Sequence, residues 1–244
     1  MLLHACCAPC SSAIVEWLVQ HDIRPVIFYY NPNIFPREEY EIRKNESKRH
    51  AESLGLQWID GDYDHEQWQQ NVCGLEGEPE RGKRCELCFV LRLTAAAKKA
   101  QELGIRYFTT TLASSRWKSL EQIERAGHLA EQAIKETTFW AQNWRKGGLY
   151  ERRNQLLKEF NFYNQQYCGC EFSQRNKSRS LSDSEGLHDT AQLDGDTYLL
   201  WTLGETLLTI LAGTRPFLSF WQCLTVTLDE LLLTLSIISS RRLW

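Results

Sequence analysis

The sequence of 244 residues lacks a long uncharged hydrophobic run, and it has no strong excess of charge of either sign. Residues 198–239 are Leu-rich, but charged side chains interrupt them, so no window reaches the roughly 18 to 20 apolar residues of a membrane span. These charges are Glu205, Arg215, Asp229 and Glu230. Charged residues at 24% and hydrophobic residues at 43% are ordinary values, which exclude disordered, collagen-like and coiled-coil classes. We expect a soluble globular protein without a membrane span.

The first residues also lack the features of a secretory signal peptide. Met1-Leu2-Leu3 leads directly into His4, without a basic segment or a long apolar segment. We therefore expect a cytoplasmic protein. The nine cysteines are grouped rather than scattered, and clustered thiols in a reducing cytosol are typically metal ligands or redox-active groups. A chain of this length buries a core without crosslinks, so structural disulfides are not needed for folding.

Short apolar runs alternate with longer amphipathic segments through the first half of the chain. This alternation is typical of an α/β fold with a parallel sheet flanked by helices. Strands are predicted at residues 2–4, 24–30, 56–60 and 106–111. Helices are predicted at residues 11–21, 37–54, 65–71, 87–103, 119–135 and 149–160. Residues 74–84 contain three Gly and one Pro, which predicts a loop immediately before a cysteine pair.

The composition divides the chain into a body and an acidic tail. Residues 175–196 are rich in Ser, Asp, Asn and Gly, which is typical of a linker. Residues 1–177 carry 24 Lys and Arg against 23 Asp and Glu, whereas residues 178–244 carry 4 against 8. We predict a main domain at 1–177, a linker at 178–197 and a Leu-rich helical appendage of unassigned role at 198–244.

Two cysteine groups, Cys6-Cys7-Ala8-Pro9-Cys10 and Cys85-Glu86-Leu87-Cys88, together offer the four sulfurs that zinc or an iron-sulfur cluster requires. The first group lies where a strand ends and a helix begins, at the sheet edge where ligands of α/β proteins bind. A structural zinc held by Cys7, Cys10, Cys85 and Cys88 is one alternative. Thioredoxin-like chemistry at Cys7 and Cys10 is another. Five thiols argue mildly against purely structural zinc, and the adjacent pair Cys6-Cys7 argues against the thioredoxin interpretation.

The third group, Cys168-Gly169-Cys170, differs from the other two. A disulfide across one intervening residue closes a small strained ring, and strained disulfides are the labile, catalytic ones. Two further metal ligands, or two inert thiols, are the alternatives for this pair.

Several motifs occur together and in order. They are Leu3-His4-Ala5-Cys6-Cys7-Ala8-Pro9-Cys10-Ser11, Tyr30-Asn31-Pro32-Asn33-Ile34 with Pro36, Glu39 and Tyr40, Thr110-Thr111-Leu112 with Ser115 and Lys118, Arg81-Gly82-Lys83-Arg84-Cys85-Glu86-Leu87-Cys88 with Arg92-Leu93, Lys146-Gly147-Gly148, and Phe162-Tyr163 to Tyr167-Cys168-Gly169-Cys170. In these motifs, residues 1–173 resemble the cobalamin-independent epoxyqueuosine reductases (QueH). The tail departs from the family pattern.

The resemblance implies an oxidoreductase for the last step of queuosine biosynthesis, the reduction of epoxyqueuosine to queuosine at the wobble position of a tRNA anticodon. It also implies a fold similar to the adenine nucleotide hydrolase-like (HUP) domains. The expected partners are tRNA and an unidentified electron donor. The runner-up hypothesis is a zinc-stabilised RNA-binding or RNA-modifying protein without redox chemistry, and a thiol-disulfide oxidoreductase acting on proteins comes third.

The same resemblance implies roles for individual residues. Cys6, Cys7, Cys85 and Cys88 are expected to bind a [4Fe-4S] cluster, with Cys10 near a second metal ion. Cys168 and Cys170 are expected to form a redox-active disulfide. The residues expected to contact the substrate are Tyr30, Asn31, Arg84, Arg92 and Lys146. Asp60 and Asp62 fall near predicted strand ends, where they are candidates to donate protons or to orient the substrate, with plain turn and capping roles as the alternative.

An anticodon substrate further suggests a surface of alternating aromatic and basic side chains, because loop bases are bound by stacking and by phosphate contacts. Only a local patch can do this in a chain whose net charge is −3. The residues that interleave both types are Trp140, Trp144, Arg145, Lys146, Tyr150, Arg152, Arg153 and Lys158. A solvated helix face with core aromatics is the alternative interpretation.

Overall fold

The structure is a computed structural model, and it describes residues 1–173. The predicted linker at 178–197 and the predicted helical appendage at 198–244 lie outside the described residues. In the part of the chain that is described, no helix combines the length and the hydrophobicity needed to cross a membrane.

A five-stranded parallel sheet forms the centre of this part of the chain. Its strands are β1 (Leu2–Ala5), β2 (Val26–Tyr29), β3 (Trp58–Asp60), β4 (Tyr107–Thr110) and β5 (Thr138–Phe139), in the spatial order β3-β2-β1-β4-β5. The predicted α/β class and the four predicted strands are confirmed, each to within two residues at either end. The fifth strand was not predicted, because two residues are too short to show a period.

Helices connect the strands and cover the sheet. They are α1 (Ala8–Gln20), α2 (Arg37–Ser53), α3 (His65–Asn71), α4 (Lys83–Glu102), α5 (Leu120–Ala133) and α6 (Leu149–Glu159), with a 3-10 turn at Thr111–Ser114.

 The last of these helices, Leu149–Glu159, follows the double glycine Gly147-Gly148. Two helices begin earlier than predicted: α1 begins at Ala8 instead of residue 11, and α4 begins at Lys83 instead of residue 87. The earlier starts place Cys10 and Cys85 in the first turns of helices, with Cys88 in the second turn of α4.

The sheet core is apolar on both faces, as a parallel sheet covered by helices requires. Leu2, Leu3 and Phe108 are fully buried in the central strands. On α5, Gly127 lies so close to the ring of Phe139 that a Cβ atom there would come within 2.2 Å of it. Glycine at this position therefore lets α5 pack directly against the short edge strand β5.

The strand order reverses between β1 and β4, because the chain adds β2 and β3 on one side of β1 and β4 and β5 on the other. Such a reversal opens a crevice at the carboxyl ends of the two central strands, where ligands of open α/β sheets bind. His4 of β1 is paired with Thr110 of β4 in the sheet. The chain therefore enters the crevice at Cys6 on one side and at Thr111 on the other.

Candidate active site: a thiol-lined cavity at the carboxyl edge of the sheet

Three cysteines meet where β1 passes into α1. The Sγ atoms of Cys6, Cys7 and Cys10 all lie within 4.8 Å of one another, and those of Cys6 and Cys7 are 3.8 Å apart. We call these residues the cysteine triad. Thiolate sulfur is a preferred ligand of zinc and of iron-sulfur clusters, so the triad can hold a metal ion. The sequence predicted Cys6 and Cys7 as partners, and the structure brings Cys10 to the same point.

Polar side chains from distant parts of the chain contact the triad. The hydroxyl of Thr111, just beyond β4, donates to Cys6 Sγ across 3.3 Å and accepts from the Cys6 backbone N–H across 3.1 Å. Gln165 Nε2 donates to Cys7 Sγ across 3.1 Å and lies 3.9 Å from Cys10 Sγ. These donors orient the thiols and stabilise negative charge on sulfur.

Mutual hydrogen bonding makes the three thiols chemically unequal. Hydrogen bonds from Cys10 and Cys7 hold the pKa of Cys6 well below its ordinary value, and the nearby Lys118 acts in the same direction. Hydrogen bonds to Cys10 and Cys6, together with burial, raise the pKa of Cys7 well above that value. The hydrogen bond to Cys6, followed by burial, raises the pKa of Cys10 to about 11. Of the three thiols, Cys6 is therefore the one that ionises most readily.

The second cysteine group lies in the first turns of α4. Cys85 Sγ accepts a hydrogen bond from the backbone N–H of Arg81 across 3.3 Å. Cys88 is 7% exposed and lies in a buried cluster with Trp68 and Cys170. Burial raises the pKa of Cys85 to about 11 and also raises the pKa of Cys88. Both are therefore protonated at neutral pH, and metal binding would displace these protons.

The third group, Cys168 and Cys170, is present as two free thiols. Between them Gly169 has a φ of +117°, a backbone conformation that residues other than glycine rarely adopt. A Cβ atom at Gly169 would also lie 2.9 Å from Arg43 Nη1. Burial raises the pKa of Cys170 to about 12, with a further contribution from Cys168. Glycine is thus required both by the turn and by the close approach of Arg43.

One cavity of about 760 Å³ connects these groups. Six thiols line it, those of Cys6, Cys7, Cys10, Cys85, Cys168 and Cys170. We call it the thiol cavity. Cys88 is not part of the lining, but it belongs to the same buried cluster as Cys170. The structure therefore brings the three cysteine motifs to one place, although they are far apart in the sequence.

The thiol cavity is strongly cationic. Seven basic side chains line it, and Glu80 is the one carboxylate among the described lining residues. The basic residues are Arg43, Arg81, Arg84, Arg92, Arg116, Lys118 and Arg153. Burial alone would lower the pKa of Lys118, but electrostatic interaction with the nearby thiol groups raises it above its ordinary value, so Lys118 stays charged. Such a lining favours anionic ligands, namely metal-bound thiolates and phosphates.

Two of these arginines are buried and have N–H groups without a hydrogen-bond partner among the described residues. Arg84 is 1% exposed, and its Nη1 donates to the carbonyl oxygens of residues 75, 76 and 78, while Nε and Nη2 have no partner among the described residues. Arg92 donates from Nη2 to Asn31 Oδ1, and its Nε lacks a described partner. Asn31 is anchored in turn by its own bond to the Ala5 carbonyl, 3.0 Å away. Unpaired buried N–H groups beside thiols fit an anionic thiolate cluster.

Other residues predicted to contact the substrate lie elsewhere. Asn31, Arg84 and Arg92 line the thiol cavity, but Tyr30 and Lys146 do not. The Tyr30 ring stacks on Phe28, and Lys146 is an exposed residue before α6. Asp60 forms an ion pair with Lys44, at 2.5 Å, and Asp62 is exposed outside the lining.

Several of the residues 140–158 that were predicted to form an aromatic and basic surface are buried or already paired within the protein. Trp144 is 4% exposed and packs in the core, so its expected contact with RNA is wrong. Arg145 donates to the backbone carbonyls of residues 113 and 118, and Arg152 pairs with Glu16 and Glu159. Tyr150 and Arg153 do line the thiol cavity.

The sequence patterns did not predict Arg116 and Trp117, which line the cavity. The two tryptophans expected to contact RNA, Trp140 and Trp144, are not among its lining residues. Trp117 is 67% exposed, the largest value among the exposed large hydrophobic residues described. The signal was available, because both residues follow a predicted strand at the edge where α/β proteins bind ligands.

Fold and site together define an α/β protein with a cationic, thiol-lined cavity at the switch point of its sheet, a class suited to metal and redox chemistry. The chain belongs to the epoxyqueuosine reductase QueH family, whose model matches residues 1–176. Family membership makes it an oxidoreductase and confirms the resemblance found in the sequence motifs.

Curated relatives agree with this placement. The chain is 45% identical over 179 residues to epoxyqueuosine reductase QueH of Histophilus somni, an alignment that covers 73% of this chain and 74% of the relative. It is 44% identical over 179 residues to the protein of the same name from Haemophilus influenzae, covering 73% of each chain. The QueH protein of Thermotoga maritima is 35% identical over 192 residues, which cover 76% of this chain and 97% of that one.

Proposed function

We propose that this chain reduces epoxyqueuosine to queuosine at the wobble position of tRNA, the last step of queuosine biosynthesis. Family membership supports the reaction, and one structural observation indicates which residues would perform it. That observation is the convergence of six thiols and seven basic side chains on one cavity. A catalyst for reducing a nucleotide in RNA needs both redox-active groups and positive charge, and the cavity supplies them together.

The reaction must balance in electrons and protons. Converting the epoxide into an alkene breaks two C–O bonds, consumes two electrons and two protons, and releases water. Oxidation of the thiols of Cys168 and Cys170 to a disulfide releases two electrons and two protons, which matches this demand. An external electron donor then reduces the disulfide and restores both thiols. The two residues therefore form the redox-active pair of the proposal.

We assign a [4Fe-4S] cluster to Cys6, Cys7, Cys85 and Cys88. Three of these thiols line the cavity, and Cys88 belongs to the same buried cluster as the lining residue Cys170. The fit rests on the thiol chemistry and on the unpaired N–H groups of Arg84 and Arg92, which suit a group of net negative charge. A cluster bound there would supply electrons singly. Cys10, within the triad, is the proposed ligand for a second metal ion.

The remaining lining residues bind and orient the substrate in this proposal. Asn31, held by the Ala5 carbonyl and by Arg92, presents a fixed amide to the cavity. Lys118 carries a positive charge toward the thiols and favours negative charge on the oxygen that leaves the substrate. The purely structural zinc hypothesis is less well supported, because a structural site is closed whereas these thiols open onto a cavity.

Purification without oxygen, followed by reconstitution with iron and sulfide, tests the cluster. We expect a brown protein with about four iron atoms per chain, or slightly more if the second metal is iron, whose absorbance bleaches with dithionite. Mass spectrometry of nucleosides digested from tRNA should show conversion of epoxyqueuosine to queuosine. A colourless protein that contains stoichiometric zinc after this treatment would exclude the cluster.

Serine variants identify the ligands. Cys6→Ser, Cys7→Ser, Cys85→Ser and Cys88→Ser should each lose the cluster, whereas Cys10→Ser should retain its four iron atoms. Cys10 is the matched control because its sulfur lies in the same triad. Loss of the cluster from Cys10→Ser together with its retention in one of the other four would reassign the ligand set.

A further inference from the structure

The exposed residues at the cavity include an aromatic and cationic group that no step above uses. The guanidinium carbon of Arg116 lies 5.1 Å from the ring centroid of Trp117 and 5.7 Å from that of Tyr150. All three residues line the thiol cavity, and Trp117 and Tyr150 are 67% and 42% exposed. We call them the aromatic rim. Large aromatic surface is costly to leave in water unless a ligand covers it.

The backbone of the rim is held in place while its side chains stay accessible. Arg81 donates from Nε to the carbonyl oxygen of Trp117 at 2.8 Å and from Nη2 to that of Arg116 at 3.2 Å. Arg145 donates to the carbonyl oxygen of Lys118 at 2.9 Å. Because these bonds use only backbone acceptors, they fix the loop without occupying the Trp117 ring. A platform fixed before binding loses little entropy when a ligand stacks on it.

A double-glycine turn brings the third member of the rim to the cavity. Gly147 and Gly148 both have positive φ, at 69° and 75°, and Gly148 is the residue before the first turn of α6. Two consecutive residues in this conformation are strained for any other amino acid. The turn lets α6 begin beside the cavity, so that Tyr150 stands next to Arg116.

The size of the cavity indicates what the rim must bind. A volume of about 760 Å³ is in the range of a site for one small molecule, so it admits one nucleotide and not a whole anticodon loop. An enzyme that draws one base into such a pocket must take it out of its stack. The neighbouring bases then remain outside and lose a stacking partner. An aromatic ring at the cavity is the group that replaces that partner.

The positive charge beside the aromatic rim also favours an RNA loop as the ligand. Arg153 hydrogen-bonds to Asn154 and lies 3.4 Å from Asn164, with no ion pair to a carboxylate among the described residues. Arg116 contacts two rings and likewise forms no ion pair there. Both cations are thus available to phosphates next to the stacked base, as in proteins that bind single-stranded nucleic acid.

We infer that the aromatic rim is a nucleobase subsite, in which Trp117 stacks on the unpaired base adjacent to the nucleotide that enters the thiol cavity. This inference rests on the proposed function, since it takes an RNA loop as the ligand. It assigns Trp117 and Arg116 to RNA binding and leaves the redox chemistry to the cysteines.

The test uses an RNA hairpin with an epoxyqueuosine-containing anticodon loop, and it measures binding to the full-length protein by fluorescence anisotropy. Trp117→Ala should weaken binding about 5- to 150-fold, the range expected for one base stacked on an aromatic ring. Trp117→Phe should recover most of the affinity. Iron content and the unfolding midpoint should match wild type in both variants.

The chain offers a matched control in Arg106 and Tyr107. Arg106 lies 5.5 Å from the Tyr107 ring, and Tyr107 is 48% exposed at the amino end of β4, on the opposite edge of the sheet. Tyr107→Ala removes an exposed aromatic beside an arginine and should leave hairpin binding unchanged. An equal loss of affinity in Tyr107→Ala and Trp117→Ala would show a nonspecific effect and would overturn the subsite.

Hairpins with an abasic site on either side of the modified nucleotide complete the experiment. One of them should bind wild type more weakly, by a factor similar to the Trp117→Ala effect, and should show no further loss with Trp117→Ala. Wild-type affinity in Trp117→Ala, fully independent losses for both abasic hairpins, or a lowered unfolding midpoint without an affinity change would overturn the inference.

The two proposals fail separately. If wild type converts epoxyqueuosine but Trp117→Ala binds the hairpin normally, the subsite is wrong and the function stands. If the Trp117 and abasic effects appear but no conversion occurs in reconstituted protein, the subsite stands and the reductase function is wrong.

Discussion

Arg43 Nη1 donates a hydrogen bond to the carbonyl oxygen of Cys168 across 3.2 Å, although the two residues are 125 positions apart in the chain. Nη2 of the same guanidinium donates to the carbonyl oxygen of Tyr167 at 3.3 Å, and Nε donates to Glu39 at 2.7 Å. The Glu39 carboxylate also accepts a bond from the Tyr163 hydroxyl. One side chain of α2 therefore positions the backbone of the Cys168-Gly169-Cys170 turn.

This contact predicts that Arg43 is a positioning residue for the thiol pair. Arg43→Lys keeps the positive charge but cannot donate to two carbonyl oxygens and Glu39 in one plane. We expect turnover to fall on the order of 10- to 100-fold because the thiols are misplaced. Iron content should stay at the wild-type value.

The measurement combines iron content, conversion of epoxyqueuosine and the midpoint potential of the Cys168–Cys170 pair, which a merely stabilising role of Arg43 would not shift. Arg37→Lys is the control, since Arg37 lies on the same helix with 72% of its side chain exposed. Wild-type turnover and potential in Arg43→Lys would show that the turn holds its conformation without the planar contact.

Alanine variants of the thiol pair should separate its role from that of the proposed cluster ligands. Cys168→Ala and Cys170→Ala should retain colour and iron, yet lose most turnover because the two-electron exchange is broken. Mass spectrometry of oxidised wild type should find one disulfide linking the two residues within a peptide, and neither variant should contain it. Loss of iron in either variant would make the pair metal ligands, and unchanged turnover in both would leave it without a catalytic role.

Removal of the tail provides a third test. The family match ends at residue 176, and the residues of the proposed site all precede that position. A chain that ends after Ser178 should therefore keep its iron content and most of its turnover. Binding of the hairpin should be measured in parallel with the full chain. A truncated protein that holds the cluster but no longer binds RNA would assign the tail to the substrate site.

The fourth prediction concerns stability and pH. His50 is 4% exposed and contacts the rings of Phe160 and Phe162 edge-on. Burial, reinforced by Arg49 and opposed by Glu16, lowers the pKa of His50 from 6.5 to about 4. Between these values the unfolded chain binds the proton and the folded chain does not. The contribution of His50 is therefore complete above pH 6.5 and is lost as the pH falls toward 4.

The expected loss from this one group is about 3 kcal/mol in the free energy of unfolding. Urea unfolding curves between pH 7 and pH 4 measure it. His50→Gln cannot titrate, so its free energy of unfolding should depend less steeply on pH over this window. Equal pH dependence in the two proteins would show that His50 is not the group that titrates.

Local sequence patterns were sufficient for much of the fold. The alternation of apolar and amphipathic segments predicted four of the five strands, because side-chain periods of 2 and 3.6 residues are properties of the local backbone. The three cysteine motifs were equally recognisable in the sequence, since each consists of residues close together in the chain. Helix starts were less predictable: the first turns of α1 and α4 carry Pro9 and Cys85, where capping and tertiary contacts outweigh periodicity.

By itself, then, the sequence determined the α/β class, the three cysteine motifs and the family to which they belong. Tertiary structure decided which distant groups meet: Gln165 with Cys7 of the triad, Arg43 with Cys168, and Tyr150 with Arg116. It also decided that Trp144 is core and Trp117 is surface. The physical reason is that these contacts join residues brought together only by the order of strands in the sheet, and no local period encodes that order.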